Sequence, residues 1–390
     1  MKKNVLAAAV LAATSVCAHA QSSVTLYGAV DTSIAYFGNE AGATKSGNTF
    51  QMMSGNLSPN LWGVKGTEDL GNGLQAIFKL ESGFNIDNGR MGQGSRIFGR
   101  TAMVGLNDTG VGTVSLGRQY DPLIDLLQPL TNDDTFGPTF ATPGDIDNYD
   151  NSYRTNNSIK YTSPNFAGLQ VSGMYAFGGV PGSVASGQTY AVAAAYNHGP
   201  LGLGVGYFHA NSDHATAASF DGLNPDASDF AVDSEAISGA FVSANSMQII
   251  RAAGDYTFGN LTAGLAYSNV EYNDYTTAAG SQNSTKFNTG QAFVNYQLTP
   301  MMVVGVGYDY TKGSGNSVTV AYNQFSLGAD YFLSKRTDLY ALAGYQKASG
   351  NTYDASTGQV VSAVASMGDF GEDATTNKQA MAMVGIRHKF

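Results

Sequence analysis

Hydrophobic and polar positions alternate with a period of two over most of the chain. In residues 23–34, Val24, Leu26, Val30 and Ile34 fall on one face, while Thr25, Asp31 and Ser33 fall on the other. That is the pattern of a strand with an apolar and a polar side. It returns in residues 169–175, 190–196, 201–207, 261–267, 292–298, 325–331 and 380–390. In 201–207 the large residues Leu201, Leu203, Val205 and Tyr207 alternate with glycines, which reads as wall packing and not as a phosphate cradle.

The connections alternate between short and long. Short turns are expected at 68–73, 107–112, 164–168, 198–202, 259–260, 299–300 and 334–337. Long loops are expected near 38–60, 88–96, 121–153, 179–188, 211–247, 272–286, 312–318 and 350–377. Seven turns and eight loops join sixteen strands. The pattern predicts an all-β fold, a transmembrane antiparallel up-and-down β-barrel of 16 strands with tight turns at one rim and long loops at the other. An even strand count sets both ends of the barrel at the short-turn rim, with Phe390 on the outward face of the closing strand. A soluble β-sandwich is the competing reading, but the chain shows no second composition zone and ends on an aromatic.

Composition sharpens this reading. The chain has 48 glycines, 22 tyrosines, 20 phenylalanines and only 13% charged residues, unusual for a soluble enzyme of 390 residues. No stretch after the N-terminal segment holds the 18 or so consecutive apolar residues of a spanning helix. Met1-Lys2-Lys3, the apolar run Val5 to Ala13, and Ala18-His19-Ala20 match a secretory signal with a small-x-small cleavage site. Residues 1–20 are therefore expected to be a signal peptide and 21–390 the barrel domain. Cys17 lacks the preceding leucine of a lipidation site, and its removal leaves no thiol for a disulfide, a thiolate metal site or a nucleophile. Removing Lys2 and Lys3 leaves 20 − 2 = 18 basic against 30 acidic residues, a net charge near −12, which argues against nucleic acid as a partner.

Enzymatic motifs are missing. His198, His209, His214 and His388 have no serine-hydrolase context, no Gly-x-Ser-x-Gly elbow occurs, and no two histidines have helical zinc spacing. Asp213, Asp221, Asp226, Asp229, Asp233 and Glu235 could gather oxygen ligands, but their spacing is not that of a twelve-residue calcium loop. A solvated acidic loop is the plainer reading, and no cofactor and no metal are expected.

At Leu61-Trp62-Gly63-Val64-Lys65-Gly66-Thr67-Glu68-Asp69-Leu70-Gly71-Asn72-Gly73-Leu74-Gln75-Ala76 the chain resembles the Gram-negative general porins of the betaproteobacterial and neisserial branch. The resemblance continues through Leu80-Glu81-Ser82-Gly83-Phe84, Val104-Gly105-Leu106, Leu116-Gly117-Arg118-Gln119-Tyr120, Asn157-Ser158-Ile159-Lys160-Tyr161-Thr162-Ser163-Pro164 and Gly385-Ile386-Arg387-His388-Lys389-Phe390. It implies a homotrimer in outer-membrane lipid and lipopolysaccharide, each barrel with its own water-filled pore for ions and small hydrophilic solutes. It further implies that the long third loop folds into the lumen, its acidic groups facing basic groups on the wall. Loop 121–153 matches by position and carries Asp121, Asp125, Asp133, Asp134, Asp145, Asp147 and Asp150. One departure is Leu61, where members commonly carry arginine.

Alternation assigns the wall. In the sixth strand Ile159 and Tyr161 face lipid, so Arg154, Asn156, Ser158 and Lys160 face the lumen. In the third, Leu74, Ala76, Phe78 and Leu80 point out and Gln75, Lys79 and Glu81 point in. Asp31 and Lys65 also face inward, as do Arg387 and Lys389 near the periplasmic rim. Arg100 and Arg118 share parity with aliphatic residues, and a charge facing lipid at mid-height costs about 2–4 kcal/mol. Family analogy therefore sets Arg100 in the lumen and Arg118 in the lumen or near a subunit interface. The expected constriction comprises Arg100, Arg154, Lys160, Lys79, Glu81, Arg118, Asp133 and Asp134, against the plainer reading of a generic solvated lining. Acidic balance points to cations, while the basic wall and family branch point to anions. A surface-exposed structural or adhesin barrel that does not conduct is the alternative function.

Overall fold

A computed structural model describes residues 23–42, 45–94, 96–212, 237–278 and 280–390. The expected signal at 1–20 and the acidic residues between Asp213 and Glu235 lie outside them. The strands are β1 (Ser23–Glu40), β2 (Gly47–Ser54 continued by Leu61–Gly71), β3 (Leu74–Gly83), β4 (Thr101–Asp108), β5 (Gly112–Gln119), β6 (Thr155–Thr162), β7 (Leu169–Ala176) and β8 (Thr189–His198). They continue as β9 (Leu201–Asn211), β10 (Ser246–Phe258), β11 (Leu261–Thr277), β12 (Gly280–Thr299), β13 (Met302–Gly315), β14 (Thr319–Phe332), β15 (Thr337–Ser349) and β16 (Lys378–Lys389). Each pairs antiparallel with its sequence neighbours, and β1 pairs with β16 from Ala29↔Lys389 to Phe37↔Met381, which closes a barrel of sixteen strands. Closure leaves no strand edge exposed to lipid, where an unpaired backbone group would cost several kcal/mol.

Both segments of β2 pair with β1, and between them residues 55–60 turn inward. Asp31 holds that excursion. Its carboxylate accepts from the Leu57 and Ser58 amides at 2.8 and 3.0 Å, and its carbonyl accepts from Asn60 Nδ2 at 2.9 Å.

The outward faces carry exposed aliphatic side chains such as Val24, Leu26, Ile34, Leu265, Leu327 and Val384, an apolar belt of the kind a lipid bilayer covers. No described helix is long and apolar enough to cross a membrane.

All seven expected turns fall between paired strands. Three expected loops are largely strand: 38–60 keeps only 41–46 and 55–60, because β1 runs to Glu40 and β2 covers Gly47–Ser54, and two others shrink as well. β11 and β12 run on to Thr277 and from Gly280, and β13 reaches Gly315 before β14 starts at Thr319, so loops 272–286 and 312–318 shrink to 278–279 and 316–318. Polar residues of the first of these, such as Asn273 and Lys286, are the outward side of strands whose inward side, Tyr272 and Phe287, packs around Phe241 with ring centroids 4.8 and 5.7 Å away.

Candidate functional site

The third long loop (residues 120–154) begins with α1 (Pro122–Leu127), capped by Asp121, whose Oδ1 accepts from the Leu123 amide at 2.7 Å. Proline at the first helical position needs no donor partner, so cap and proline fix the entry together. The apolar side of α1 lies on the glycines of β9. A Cβ on Gly206 would stand 2.6 Å from Leu123 Cγ, and one on Gly204 would stand 2.9 Å from Leu127 Cγ. Side chains at 204 and 206 would hold the helix off the wall.

After α2 (Asp133–Phe136) the stacked rings of Phe136 and Phe140, 5.1 Å apart, lie on Gly305, Gly307 and Gly328 of β13 and β14. Ser326 Oγ donates to the Thr139 carbonyl at 2.6 Å, and Gln324 Nε2 donates to the Ala141 carbonyl at 2.7 Å. These bonds satisfy loop carbonyls that water would otherwise have to reach. Loop and wall thus form one packed layer inside the barrel.

Seating on β8–β14 leaves the β3–β6 wall as the other side of the opening. There Glu81 accepts from Arg100 Nε at 3.0 Å and Tyr27 hydroxyl at 2.8 Å, and its Oε2 lies 2.9 Å from Lys79 Nζ. Arg100 reaches this carboxylate because β4 starts only at Thr101, so strand parity does not bind it. Lys160 Nζ donates to Asp125 Oδ2 at 2.6 Å and to the Tyr120 carbonyl at 2.8 Å, tying β6 to α1. Arg154 Nη2 donates to the Tyr120 hydroxyl at 2.9 Å, and the guanidinium groups of Arg154 and Arg100 stand 5.0 and 5.8 Å from the Tyr120 ring centroid.

A model of the Gram-negative porin family matches residues 7–351. The chain belongs to that family. It is 32% identical over 424 residues to an outer membrane porin protein of Bordetella pertussis, covering all of both chains. Outer membrane porin protein 32 of Delftia acidovorans is also 32% identical, over 412 residues and all of both chains. Among solved structures, the anion-selective porin from Comamonas acidovorans superposes with a TM-score of 0.71 at 24% identity, covering 95% of this chain and 100% of that one. The protein is a Gram-negative outer-membrane porin, a passive diffusion channel. Members of this family are channels and not enzymes.

Within this porin the expected residues separate into groups. Arg100, Arg154, Lys160, Lys79 and Glu81 come together. Arg118 stands apart from them. Gln119 faces the lumen, donating to Ser158 Oγ at 3.0 Å, and the buried Arg118 beside it donates from Nε to the Gly99 carbonyl and from Nη1 to Asn156 Oδ1, both at 2.7 Å. The two loop aspartates also differ. Asp134 is exposed, whereas Asp133 is buried, accepts from Gln128 Nε2 at 3.1 Å, and is pushed up to about 7 by that burial. Asp121, Asp145 and Asp147 are likewise buried.

Three features escape a sequence reading. Tyr120 is the hub of the basic cluster, although only its place in a short motif marks it. Arg251 of β10 lies wholly buried under the loop. The eighth loop (350–377) also enters the barrel: Gly144 N donates to the Gly368 carbonyl at 2.7 Å, and Gly368 N donates to Gln324 Oε1 at 3.0 Å.

Proposed function

We propose that the opening between the β3–β6 wall and the third loop is the pore constriction, and that it favours anions. The observation that carries this is a charge count. Among the described residues, Lys79, Arg100, Arg154 and Lys160 have only Glu81 and Asp125 within ion-pair distance, a surplus of 4 − 2 = 2 positive charges, with Asp150 and Asp369 further off but still within the field of Arg154. Of the other loop aspartates expected to balance them, Asp121, Asp133, Asp145 and Asp147 are buried in the packed layer behind the loop, and only Asp134 and Asp150 keep some exposure. Low-dielectric walls concentrate the field in a narrow gap, so this local surplus outweighs the acidic net charge of the chain.

Planar-bilayer reversal potentials under a salt gradient test the reading. Arg100→Gln with Arg154→Gln should shift the potential toward cations, most at low salt, since screening acts over about 8 Å at physiological ionic strength. Asp125→Asn should move it the other way, and Lys389→Gln, whose charged neighbours are Arg387, Asp338, Asp330 and Asp134, should matter little. Equal shifts from Lys389→Gln and the arginine pair would move the constriction elsewhere, and a barrel that does not conduct would favour a structural role. We also take the assembled form to be a homotrimer in outer-membrane lipid, which native mass spectrometry in mild detergent tests by the mass alone.

A further inference from the structure

Inside the barrel, beside the seam of β1 and β16, lies an apolar cluster that passive diffusion does not call for. Phe37, Tyr340 and Met383 of the wall meet Leu57 of the 55–60 excursion, Phe136 at the tip of the third loop and Met367 of the eighth, none more than 3% exposed. The three inward segments fit together at the backbone. A Cβ on Gly137 would collide with the Asn56 carbonyl, and one on Gly368 with the Pro138 carbonyl. Phe370 of the eighth loop adds an edge contact to Phe37, with ring centroids 5.6 Å apart. The cluster therefore fills the lumen between the seam and the tip of the third loop.

A row of glutamines holds the eighth loop in this position. Gln324, Gln346 and Gln379 stand side by side on β14, β15 and β16, all without solvent exposure. Their amide oxygens accept from successive loop amides: Gln346 from Ser366 at 2.8 Å, Gln379 from Met367 at 3.0 Å and Gln324 from Gly368 at 3.0 Å. The Nε2 groups of Gln346 and Gln379 donate back to the Ser366 and Glu372 carbonyls. Side chains of the wall thus pair the loop backbone as a neighbouring strand would, so its buried polar groups are satisfied without water. Met367, in the middle of the bonded stretch, is pressed onto β15, where a Cβ on Gly344 would collide with its Cε.

We propose that the cluster is a seal, that Gln324, Gln346 and Gln379 are the positioning residues that seat it, and that it forces every solute past the basic groups of the constriction. A solute has two ways round the third loop: along the β3–β6 wall, or behind the loop tip beside the seam. Apolar side chains close the second way, because an ion there would give up its water for no compensating contact. Arg100, Arg154 and Lys160 then act on all of the current. For its effect on charge preference the inference rests on the constriction reading, whereas the closing of the second way concerns neutral solutes as well.

The test reconstitutes the full-length porin carrying Gln346→Met with Gln379→Met, and separately Met367→Ser. Methionine keeps the reach of glutamine and removes its amide bonds, while the bond from Gln324 to the Ala141 carbonyl of the third loop stays. Met367→Ser lies outside the strand ladder, so it keeps the test open if the double variant fails to fold. In heat-modifiable barrels both changes should speed the entry of a neutral trisaccharide into liposomes, raise single-channel conductance and bring the salt-gradient reversal potential toward zero. A residue that served stability alone would lower the melting temperature and leave these readings as they are, and that result overturns the proposal. So does faster sugar entry with an unshifted reversal potential where Arg100→Gln with Arg154→Gln does shift it, since the eighth loop would then only obstruct the mouth above the basic groups. If the arginine pair shifts nothing, the constriction reading falls and sugar entry alone decides the seal.

Discussion

The guanidinium of Arg251 lies 4.4 Å from the ring centroid of Tyr149, at a position with no solvent exposure. Arg251 belongs to β10 and Tyr149 to the third loop, and Arg251 Nη2 also donates to the Asp147 carbonyl. Ser268, its cross-strand neighbour, donates to the Asp147 carboxylate. A cation held in this way orders the return leg of the loop. Arg251→Gln should remove about 2 kcal/mol, typical of a hydrogen bond to a charged group. Single-channel currents should become noisier and cleavage within residues 140–153 faster. A current as quiet as that of the unaltered protein would show that the loop is held without it.

The glycines of β9 lead to a second expectation. Gly206→Val would drive a side chain into Leu123, because even a Cβ there stands 2.6 Å from Leu123 Cγ. Overpacking of this kind costs about 1–3 kcal/mol unless something moves, and α1 can move only toward the opening. Conductance should fall while the barrel stays heat-modifiable. Gly290→Val is the control, since a Cβ at Gly290 meets nothing within 4 Å. Equal losses from both would place the effect in the strand and not under the loop.

Barrel and turns are legible in the sequence because period-two alternation and turn chemistry are local. Gly202, Gly204 and Gly206 read as wall packing, which they are. What packs on Gly204 and Gly206 does not follow, because Leu123 and Leu127 lie some 80 residues away in the chain. The same distance hides Tyr120 and Arg251, whose roles exist only once the loop is seated. Arg100 violates parity until the strand is seen to start at Thr101. The rim of β11 and β12 misleads for another reason: its outward polar residues resemble a loop when the inward Tyr272 and Phe287 are not given equal weight.

Closure of the barrel depends on Phe390 and Gly28. Their amides and carbonyls exchange two bonds of 3.0 Å, and a Cβ on Gly28 would collide with Phe390 Cζ. The far end of the ring therefore lies over the glycine at the seam. Gly28→Val should displace it and lower the yield of heat-modifiable porin in the outer membrane, as should Phe390→Ala, with synthesis and export unaffected. Normal assembly of Gly28→Val would show that the ring needs no seat there.

The contact between the third and eighth loops should respond to pH. Ser152 Oγ lies 2.7 Å from Asp145 Oδ2 and 2.6 Å from Asp369 Oδ2, and backbone bonds join Gly144 to Gly368 and Asp369 to Pro138. Burial raises Asp145 well above the ordinary carboxylate range, and the neighbouring Asp369 and Asp147 raise it further. Burial raises Asp150 and Asp369 in the same direction. For a carboxyl group raised in the folded state, the ionised form is the costly one. The penalty is present at pH above the raised value and disappears as pH falls through it, before the ordinary carboxylate range is reached. Acidification from neutral should therefore draw the two loops together and reversibly lower single-channel conductance. Asp369→Asn removes one member of the repelling set at every pH, so it should conduct less at neutral pH and lose most of the pH dependence. Conductance that falls with pH in Asp369→Asn as it does in the unaltered porin would assign the response to groups outside this contact.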